Sequence, residues 1–63
     1  MDLYDLEPGD RVRLTDGSIA EVISATEDGR EILVRYVESA DRHLLGSERL
    51  CTEDEVEERV EIF

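Results

Sequence analysis

Two Asp-Gly dipeptides, Asp16-Gly17 and Asp28-Gly29, divide the first half of the chain into segments with the patterns of β-strands. Residues 11–14 alternate polar and apolar side chains, as a half-buried strand does. An Asp-Gly dipeptide between such segments predicts a hairpin with a type I′ turn, because both of its residues tolerate positive φ. Residues 31–37 are rich in the β-branched and aromatic residues that strands favour. The sequence therefore predicts a meander of strands over residues 11–14, 18–26 and 31–37.

The second half of the chain is less regular, but it predicts two further strands. Gly46 precedes a candidate fourth strand over residues 47–51, and residues 59–63 alternate again as a fifth. Between them, Thr52-Glu53-Asp54-Glu55 has the form of a capping box, which predicts a helical turn or slightly more. The acidic run 53–58 would then form a solvated helix face. We therefore expect residues 1–63 to form a single all-β domain, a small five-stranded barrel with a helical turn before the last strand.

Part of this pattern resembles a known family. The similarity spans residues 8–37, about half of the chain, and is carried by residues 8–14, both Asp-Gly turns, Ala20-Glu21-Val22 and residues 32–37. These segments resemble the first three strands of an SH3-like barrel, especially the KOW type of ribosomal and transcription-elongation proteins. The sequence departs from the KOW pattern at Ala20, where the family has glycine, and in having no lysine. The resemblance implies an SH3-like fold and a site for nucleic acid.

The hairpins allow two strand registers, and a slip of one residue exchanges the two faces of the sheet. With two-residue loops, Ile19, Glu21 and Ile23 would lie on the inner face. With a bulge in each loop, Ala20 and Val22 would lie inside and Glu21 outside, while Ile19 and Ile23 would be half covered. We favour the bulged register because an unpaired buried carboxylate is costly, and because the resemblance places the valine inside. In both registers the inner face includes Val12, Leu14, Val34 and Tyr36.

The chain is strongly acidic: 18 Asp and Glu residues oppose seven basic residues, all of them arginine, and the net charge is -11. In so short a chain, such an excess of acidic residues over basic ones is typical of disorder or of strong repulsion between the charges. Here, however, the charges are interspersed with well-patterned apolar segments. The combination resembles the cytoplasmic proteins of extreme halophiles such as haloarchaea, which implies an adaptation to molar salt, where the Debye length is about 3 Å.

The chain shows no targeting or membrane-spanning segment, so we expect a cytoplasmic protein. Its longest aliphatic run, residues 32–34, is far shorter than a transmembrane helix requires. The first residues have neither the basic segment nor the apolar segment of a secretory signal.

Arg11, Arg13 and Arg35 are predicted to point away from the core and to form one locally basic face. Guanidinium groups match the geometry of phosphate, so this face is a candidate site for RNA. Tyr4 is a further candidate, since an exposed aromatic ring can stack on a base or a proline, although our default interpretation is that it covers the open end of the barrel. The alternative for the arginines, which we favour, is that Glu21 projects among them and pairs with them.

The remaining reactive side chains do not form a recognisable catalytic or metal-binding set. His43 and Cys51 are the only soft metal ligands, and they lack the close pairs of a zinc site. A single cysteine cannot form an intrachain disulfide. We interpret Cys51 as a small buried residue and His43 as a loop side chain, and we expect no metal or cofactor.

These observations favour a non-enzymatic protein-interaction module in a cytoplasmic assembly, without specifying its role. The alternative is an RNA-binding or ribonucleoprotein-binding barrel that uses the arginine face. A third hypothesis is a regulatory or catalytic thiol at Cys51. Whether the chain is a monomer or a homodimer stays open, because pairing of strand edges would enlarge a scant core.

Overall fold

The computed structural model describes residues 3–60, with the side chain of Tyr4 excepted. These residues form an all-β fold in which five antiparallel strands make one sheet, in the order β4-β3-β2-β1-β5. Short 3-10 turns cover Leu3–Asp5, Arg42–Leu44 and Glu53–Glu55. The strands are β1 (Arg11–Leu14), β2 (Ile19–Ala25), β3 (Glu31–Glu38), β4 (Glu48–Thr52) and β5 (Val56–Val60). The predicted all-β class, the five strands and the helical turn before the last strand are confirmed.

The connection between β4 and β5 requires the sheet to curl. These strands lie at opposite ends of the strand order, yet the chain passes from Thr52 to Val56 through the Glu53–Glu55 turn alone. Four residue steps reach at most about 14 Å, whereas four inter-strand spacings of a flat sheet span about 19 Å. The turn contacts both strands. The sheet is therefore bent into a small barrel whose two edge strands meet at this turn.

The core is filled by alternate residues of β1, β2 and β3, in the bulged register. Val12 lies opposite Ala20, and Val22 lies opposite Val34, with irregularities in β2 on either side of this stretch. Glu21 is on the other face, and Ile19 and Ile23 are half-buried, as the bulged register predicts. The buried apolar residues are Leu3, Leu6, Val12, Leu14, Ala20, Val22, Ile32, Val34, Tyr36, Cys51 and Val56.

The first hairpin turn differs from the predicted type I′ turn. That turn needs positive φ at Asp16, but among the described residues only glycines have positive φ. Gly17 has a φ of +88°, and its amide donates to the Leu14 carbonyl at 2.9 Å. The Leu14 amide then donates to the Ser18 carbonyl at 2.8 Å. Gly17 is thus the left-handed residue of a bulge that follows the turn, which is a recurring way to close a longer hairpin loop.

The second hairpin turn repeats this arrangement. The Gly29 amide donates to the Thr26 carbonyl at 3.0 Å, with a φ of +69° at the glycine. In both turns the aspartate carboxylate accepts from the amide two residues ahead, Asp16 from Ser18 and Asp28 from Arg30. The hydrogen bond from the Ser18 amide is the main cause of a lowered pKa at Asp16. At Asp28, the hydrogen bond from the Thr26 hydroxyl and then the one from the Arg30 amide lower the pKa.

The predicted start of the last strand is wrong by three residues. β5 begins at Val56, so Glu57 and Glu58 belong to a strand and not to a helix face. The capping box supports only one 3-10 turn, in which the Thr52 amide donates to the Glu55 carboxylate at 3.2 Å. Val56 then pairs with β1 and is buried, which returns the chain to an extended conformation. Residues 61–63 of the predicted strand lie outside the described residues.

Replacing Gly17 with alanine tests the bulged turn. An added Cβ would meet no heavy atom within 4 Å, so any loss comes from the left-handed backbone and not from a clash. We expect Gly17→Ala to lower the free energy of unfolding by about 1–2 kcal/mol, measured by urea unfolding in molar KCl. Gly17→Asn is the matched control and should lose less, because asparagine tolerates this conformation. Equal stability of the wild type and Gly17→Ala would contradict the assigned turn.

Candidate interaction surface

The three predicted arginines lie on the outer face of the barrel. Their neighbours in β1 and β3 fill the core, so the alternation of each strand directs Arg11, Arg13 and Arg35 outward. Arg13 and Arg35 are exposed, and Arg11 is half-buried. The structure thus brings these arginines to one face. The backbone of Tyr4 belongs to the Leu3–Asp5 turn, but its side chain lies outside what the structure describes.

Charges of alternating sign cross this face from strand to strand. Glu48 of β4 lies opposite Arg35 of β3, Arg35 lies opposite Glu21 of β2, and Glu21 lies opposite Arg11 of β1. We call these four residues the charge ladder. Opposite charges in facing positions each contribute roughly 0.2–1 kcal/mol to sheet stability. The ladder carries no net charge, so the arginine face is not a free cationic surface.

The ion pairs of the exposed arginines differ from the expected ones. Arg35 Nη2 lies 3.3 Å from a carboxylate oxygen of Glu48. Arg13 pairs with Glu57 at 3.3 Å and Glu58 at 2.9 Å. Within residues 3–60 no ion pair joins Glu21 to an arginine, so its predicted pairing is wrong.

The early start of β5 explains this outcome. It places Glu58 directly opposite Arg13, and Glu57 next to it, on a strand that the sequence did not predict there. The paired side chains are about half exposed, so each pair contributes little stability.

A second polar cluster lies around Arg49 of β4. Arg49 Nη1 donates to the hydroxyl of the buried Tyr36 at 3.1 Å, and its Nη2 pairs with Glu55. The hydrogen bond to Tyr36 is the main cause of a raised pKa at Arg49. At Glu55, the amide of Thr52 and then the charge of Arg49 lower the pKa. This cluster ties the Glu53–Glu55 turn to β4 and β3.

Cys51 and His43 lie in the environments that the sequence predicts for them. The Cys51 side chain is fully buried, and burial is the main cause of its raised pKa. A thiol held in its protonated form is a poor nucleophile. His43 is exposed in the Arg42–Leu44 turn, where its amide donates to Asp41. In the described part of the chain, no three His, Cys, Asp or Glu residues are arranged to hold a metal ion.

An apolar pair on the outer face was missed by sequence reasoning. Leu50 of β4 is 52% exposed and lies directly opposite the half-buried Leu33 of β3. We call Leu33 and Leu50 the outer leucine pair. The run Glu48-Arg49-Leu50-Cys51 has no clear polar and apolar alternation, so the sequence did not show which of its side chains point outward. The burial of Cys51 determines the orientation of the β4 side chains, because its neighbour Leu50 must face the opposite side of the sheet.

Among residues 3–60, no strand pairs with β4 on the side away from β3, so its backbone is open there. The Tyr36 amide donates to the Ser47 carbonyl at 2.9 Å, and the Tyr36 carbonyl accepts from the Gly46 amide at 3.0 Å, so Tyr36 occupies the position of a hydrogen-bonded pair in the β3–β4 ladder. Because such pairs recur at every second residue of an antiparallel ladder, Arg49 and Cys51 also bond to β3, while Glu48 and Leu50 direct their amides and carbonyls outward. The Thr52 amide is occupied by Glu55. The open edge is thus centred on Leu50.

A shallow polar depression lies elsewhere, between the second hairpin turn and the start of the Glu53–Glu55 turn. Its lining residues are Asp28, Gly29, Arg30, Thr52 and Glu53. The Asp28 carboxylate is already used within its own turn, by the Thr26 hydroxyl at 2.7 Å and the Arg30 amide. The depression therefore does not offer the Asp28 carboxylate as an unoccupied ligand group.

Comparison with known proteins does not identify a relative. No protein-family model, curated protein or solved structure matches the chain significantly. In residues 3–60 there is no helix long and apolar enough to cross a membrane. The geometry of the surface is therefore the basis for assigning a function.

Reversing the central charge of the ladder tests its contribution. Glu21→Lys would place three cations in a row across β3, β2 and β1. Glu27→Lys, in an exposed turn, changes the net charge equally and is the matched control. We expect Glu21→Lys to unfold with a free energy about 0.5–1 kcal/mol below that of the control in low salt, measured by urea unfolding. The difference should shrink in 1 M KCl. Equal stability of the two variants in low salt would show that the ladder contributes nothing.

Proposed function

We propose that the chain is a non-enzymatic protein-interaction module of a cytoplasmic assembly, and that its interaction surface is the open edge of β4 with the outer leucine pair. The observation that carries the proposal is the position of Leu50. It is a large apolar side chain, 52% exposed, at the midpoint of an edge strand with free backbone donors and acceptors. Exposed edges of this kind bind an added strand through main-chain hydrogen bonds, while the side chains provide specificity.

The chemistry of this edge suits binding in concentrated salt. Backbone hydrogen bonds and burial of the outer leucine pair do not rely on long-range attraction between charges, which molar salt screens within about 3 Å. The contacts of arginine with phosphate are weaker under the same conditions, because counterion release then yields less free energy. An edge with a leucine at its centre is therefore better suited to such a solvent than a basic face.

The alternative, an RNA-binding barrel that uses Arg11, Arg13 and Arg35, has less support. Arg13 and Arg35 are held by carboxylates, so a phosphate group must displace Glu57, Glu58 or Glu48 before it can bind. The net charge of -11 also repels a polyanion at long range in dilute salt. RNA binding remains the second candidate and is one outcome of the experiment below.

We further propose that the acidic surface is an adaptation to molar salt. The proposal is supported by the excess of carboxylates, the absence of lysine and the use of arginines in cross-strand pairs. Repulsion among the carboxylates destabilises the folded chain in dilute buffer and is screened in salt. We expect the midpoint of thermal unfolding to rise from dilute buffer to 2 M KCl. An unchanged midpoint would mean that the charge has another purpose.

The interaction surface is tested by two variants that each replace an exposed leucine. Leu50→Lys alters the centre of the β4 edge, whereas Leu45→Lys alters a residue of similar exposure outside the strands, with the same change in charge. Tagged wild type and variants are incubated with native lysate in molar KCl, with and without nuclease, and retained proteins are identified by mass spectrometry. We expect wild type and Leu45→Lys to retain the same proteins, and Leu50→Lys to lose them.

The nuclease arm separates the two candidate functions. Retention that survives nuclease but is lost in Leu50→Lys supports the protein-interaction module. Retention that nuclease abolishes, together with its loss in a variant carrying Arg13→Gln and Arg35→Gln, would replace this proposal with RNA binding. Equal retention by Leu50→Lys and wild type would exclude the β4 edge as the interaction surface.

A further inference from the structure

We infer that the β4 edge pairs with the β4 edge of a second copy of this chain, as two antiparallel strands related by a two-fold axis at Leu50. This inference rests on the proposed function of the edge and names its partner. It requires that the edge be self-complementary, because the same patch of both copies meets itself in a two-fold interface. The register, the charges and the apolar side chains of β4 each meet this requirement.

The hydrogen-bonding pattern places the axis at Leu50. β4 comprises five residues, and Leu50 is the central one, so an axis there uses the whole strand. The outward-facing amide and carbonyl of Leu50 meet those of Leu50 in the second copy, which is the geometry of a hydrogen-bonded antiparallel pair. At each end, the Glu48 amide faces the Thr52 carbonyl of the second copy. The Thr52 amide keeps its bond to Glu55.

The charges of β4 favour this register over its neighbours. With the axis at Leu50, Glu48 faces Thr52 of the second copy and Arg49 faces Cys51, so no like charges are opposed. An axis at Glu48 would place two glutamates in facing positions, and an axis at Arg49 would oppose two arginines. Like charges directly opposite each other destabilise a strand pair. An axis beyond Leu50 would shorten the pairing at the Glu53–Glu55 turn.

The outer leucine pair becomes continuous across the two copies. Leu50 lies opposite Leu33 within one chain, and at the axis it would also lie beside Leu50 of the second copy. The outer face would then carry an apolar row with the order Leu33, Leu50, Leu50 and Leu33. This row covers the most exposed large apolar side chain that the structure describes.

The interface is small, so the dimer should be weak and should depend on salt. A single strand pair lies below the roughly 1,200 Å² that is typical of stable complexes. Each copy has a net charge of -11, which opposes association in dilute buffer. Molar KCl screens this repulsion, so the fraction of dimer should rise with salt. The measurements therefore belong in 2 M KCl, at protein concentrations from about 10 μM to 1 mM.

The first test is sedimentation equilibrium of the full chain. Wild type and Leu45→Lys should associate to dimers with the same constant. Leu50→Lys should stay monomeric across the concentration range, because it removes the apolar contact between the two Leu50 side chains at the axis. Circular dichroism would confirm that each variant is folded. A wild type that remains monomeric up to 1 mM in 2 M KCl, or a Leu50→Lys variant that dimerises as the wild type does, would overturn the inference.

The second test reports the register and does not depend on Leu50→Lys folding. The Cα atoms of a hydrogen-bonded antiparallel pair are about 5.5 Å apart, which lies within the range of a disulfide. In a background with Cys51→Ala, Leu50→Cys should form a cross-linked dimer under mild oxidation, and Leu45→Cys should form much less. The yields are compared on a non-reducing gel. Equal yields from the two variants would contradict an axis at Leu50.

Amide hydrogen exchange of Glu48 and Leu50 separates failure of the dimer from failure of the interaction surface. If the chain is monomeric and both amides exchange rapidly, the edge is open and its partner is another protein, so only the dimer is excluded. If the chain is monomeric and both amides are protected, the edge is blocked within the chain and the proposed function also fails. Protection that appears only as the dimer forms would support both.

Discussion

The register between β1 and β2 is the constraint on which the rest of the structure depends. β2 can turn Ala20 and Val22 inward, or it can turn Ile19, Glu21 and Ile23 inward, and only the first choice keeps a carboxylate out of the core. The left-handed conformation of Gly17 favours the register with Ala20 and Val22 inward. The bulge at Gly17 adds one residue to the hairpin loop, which shifts β2 by one position. Val34 lies opposite Val22 and therefore also faces inward. The register between β3 and β4 then determines which residues of β4 face the core.

The positions of the charged residues follow from this alternation of inward and outward side chains. With alternate residues of β1, β2 and β3 in the core, the intervening residues Arg11, Glu21 and Arg35 align across the outer face, and β4 adds Glu48. The ladder gives an acidic chain a locally neutral surface without lysine. It also determines the cost of binding an anion there, since a phosphate must compete with carboxylates that are already in place. This competition is one reason why we propose a protein-interaction surface and not an RNA-binding face.

The curled sheet leaves two edges, and their side chains differ. On β5, Glu57 and Glu58 face the arginine of β1, and acidic groups of this kind discourage pairing with another strand. On β4, the charges lie at one end and a leucine lies at the midpoint, next to Leu33. The Glu55 side chain occupies the Thr52 amide of β4, and within the described part of the chain the amide of the central Leu50 stays open. The two edges meet at the same turn, but only β4 combines an open backbone with an apolar side chain.

The sequence by itself determined the all-β class, the three-stranded meander and the bounds of β1, because turn chemistry and residue alternation are local properties. It also indicated the bulged register, since an unpaired Glu21 in the core is costly in any fold. It placed the three arginines correctly on the outer face but assigned them the wrong acidic partner. Their actual partners come from β4 and β5, which are distant in sequence.

Only the tertiary structure decided the early start of β5, the ladder and the open edge at Leu50. A capping box predicts the start of a helical segment but not its length. Here the burial of Val56 against β1 ends the segment after one turn. Likewise, no local pattern in β4 reveals which residues face outward or which strand has a free side. Strand order and register arise from contacts between segments that are far apart along the chain. The sequence of a short strand without clear alternation therefore does not predict them.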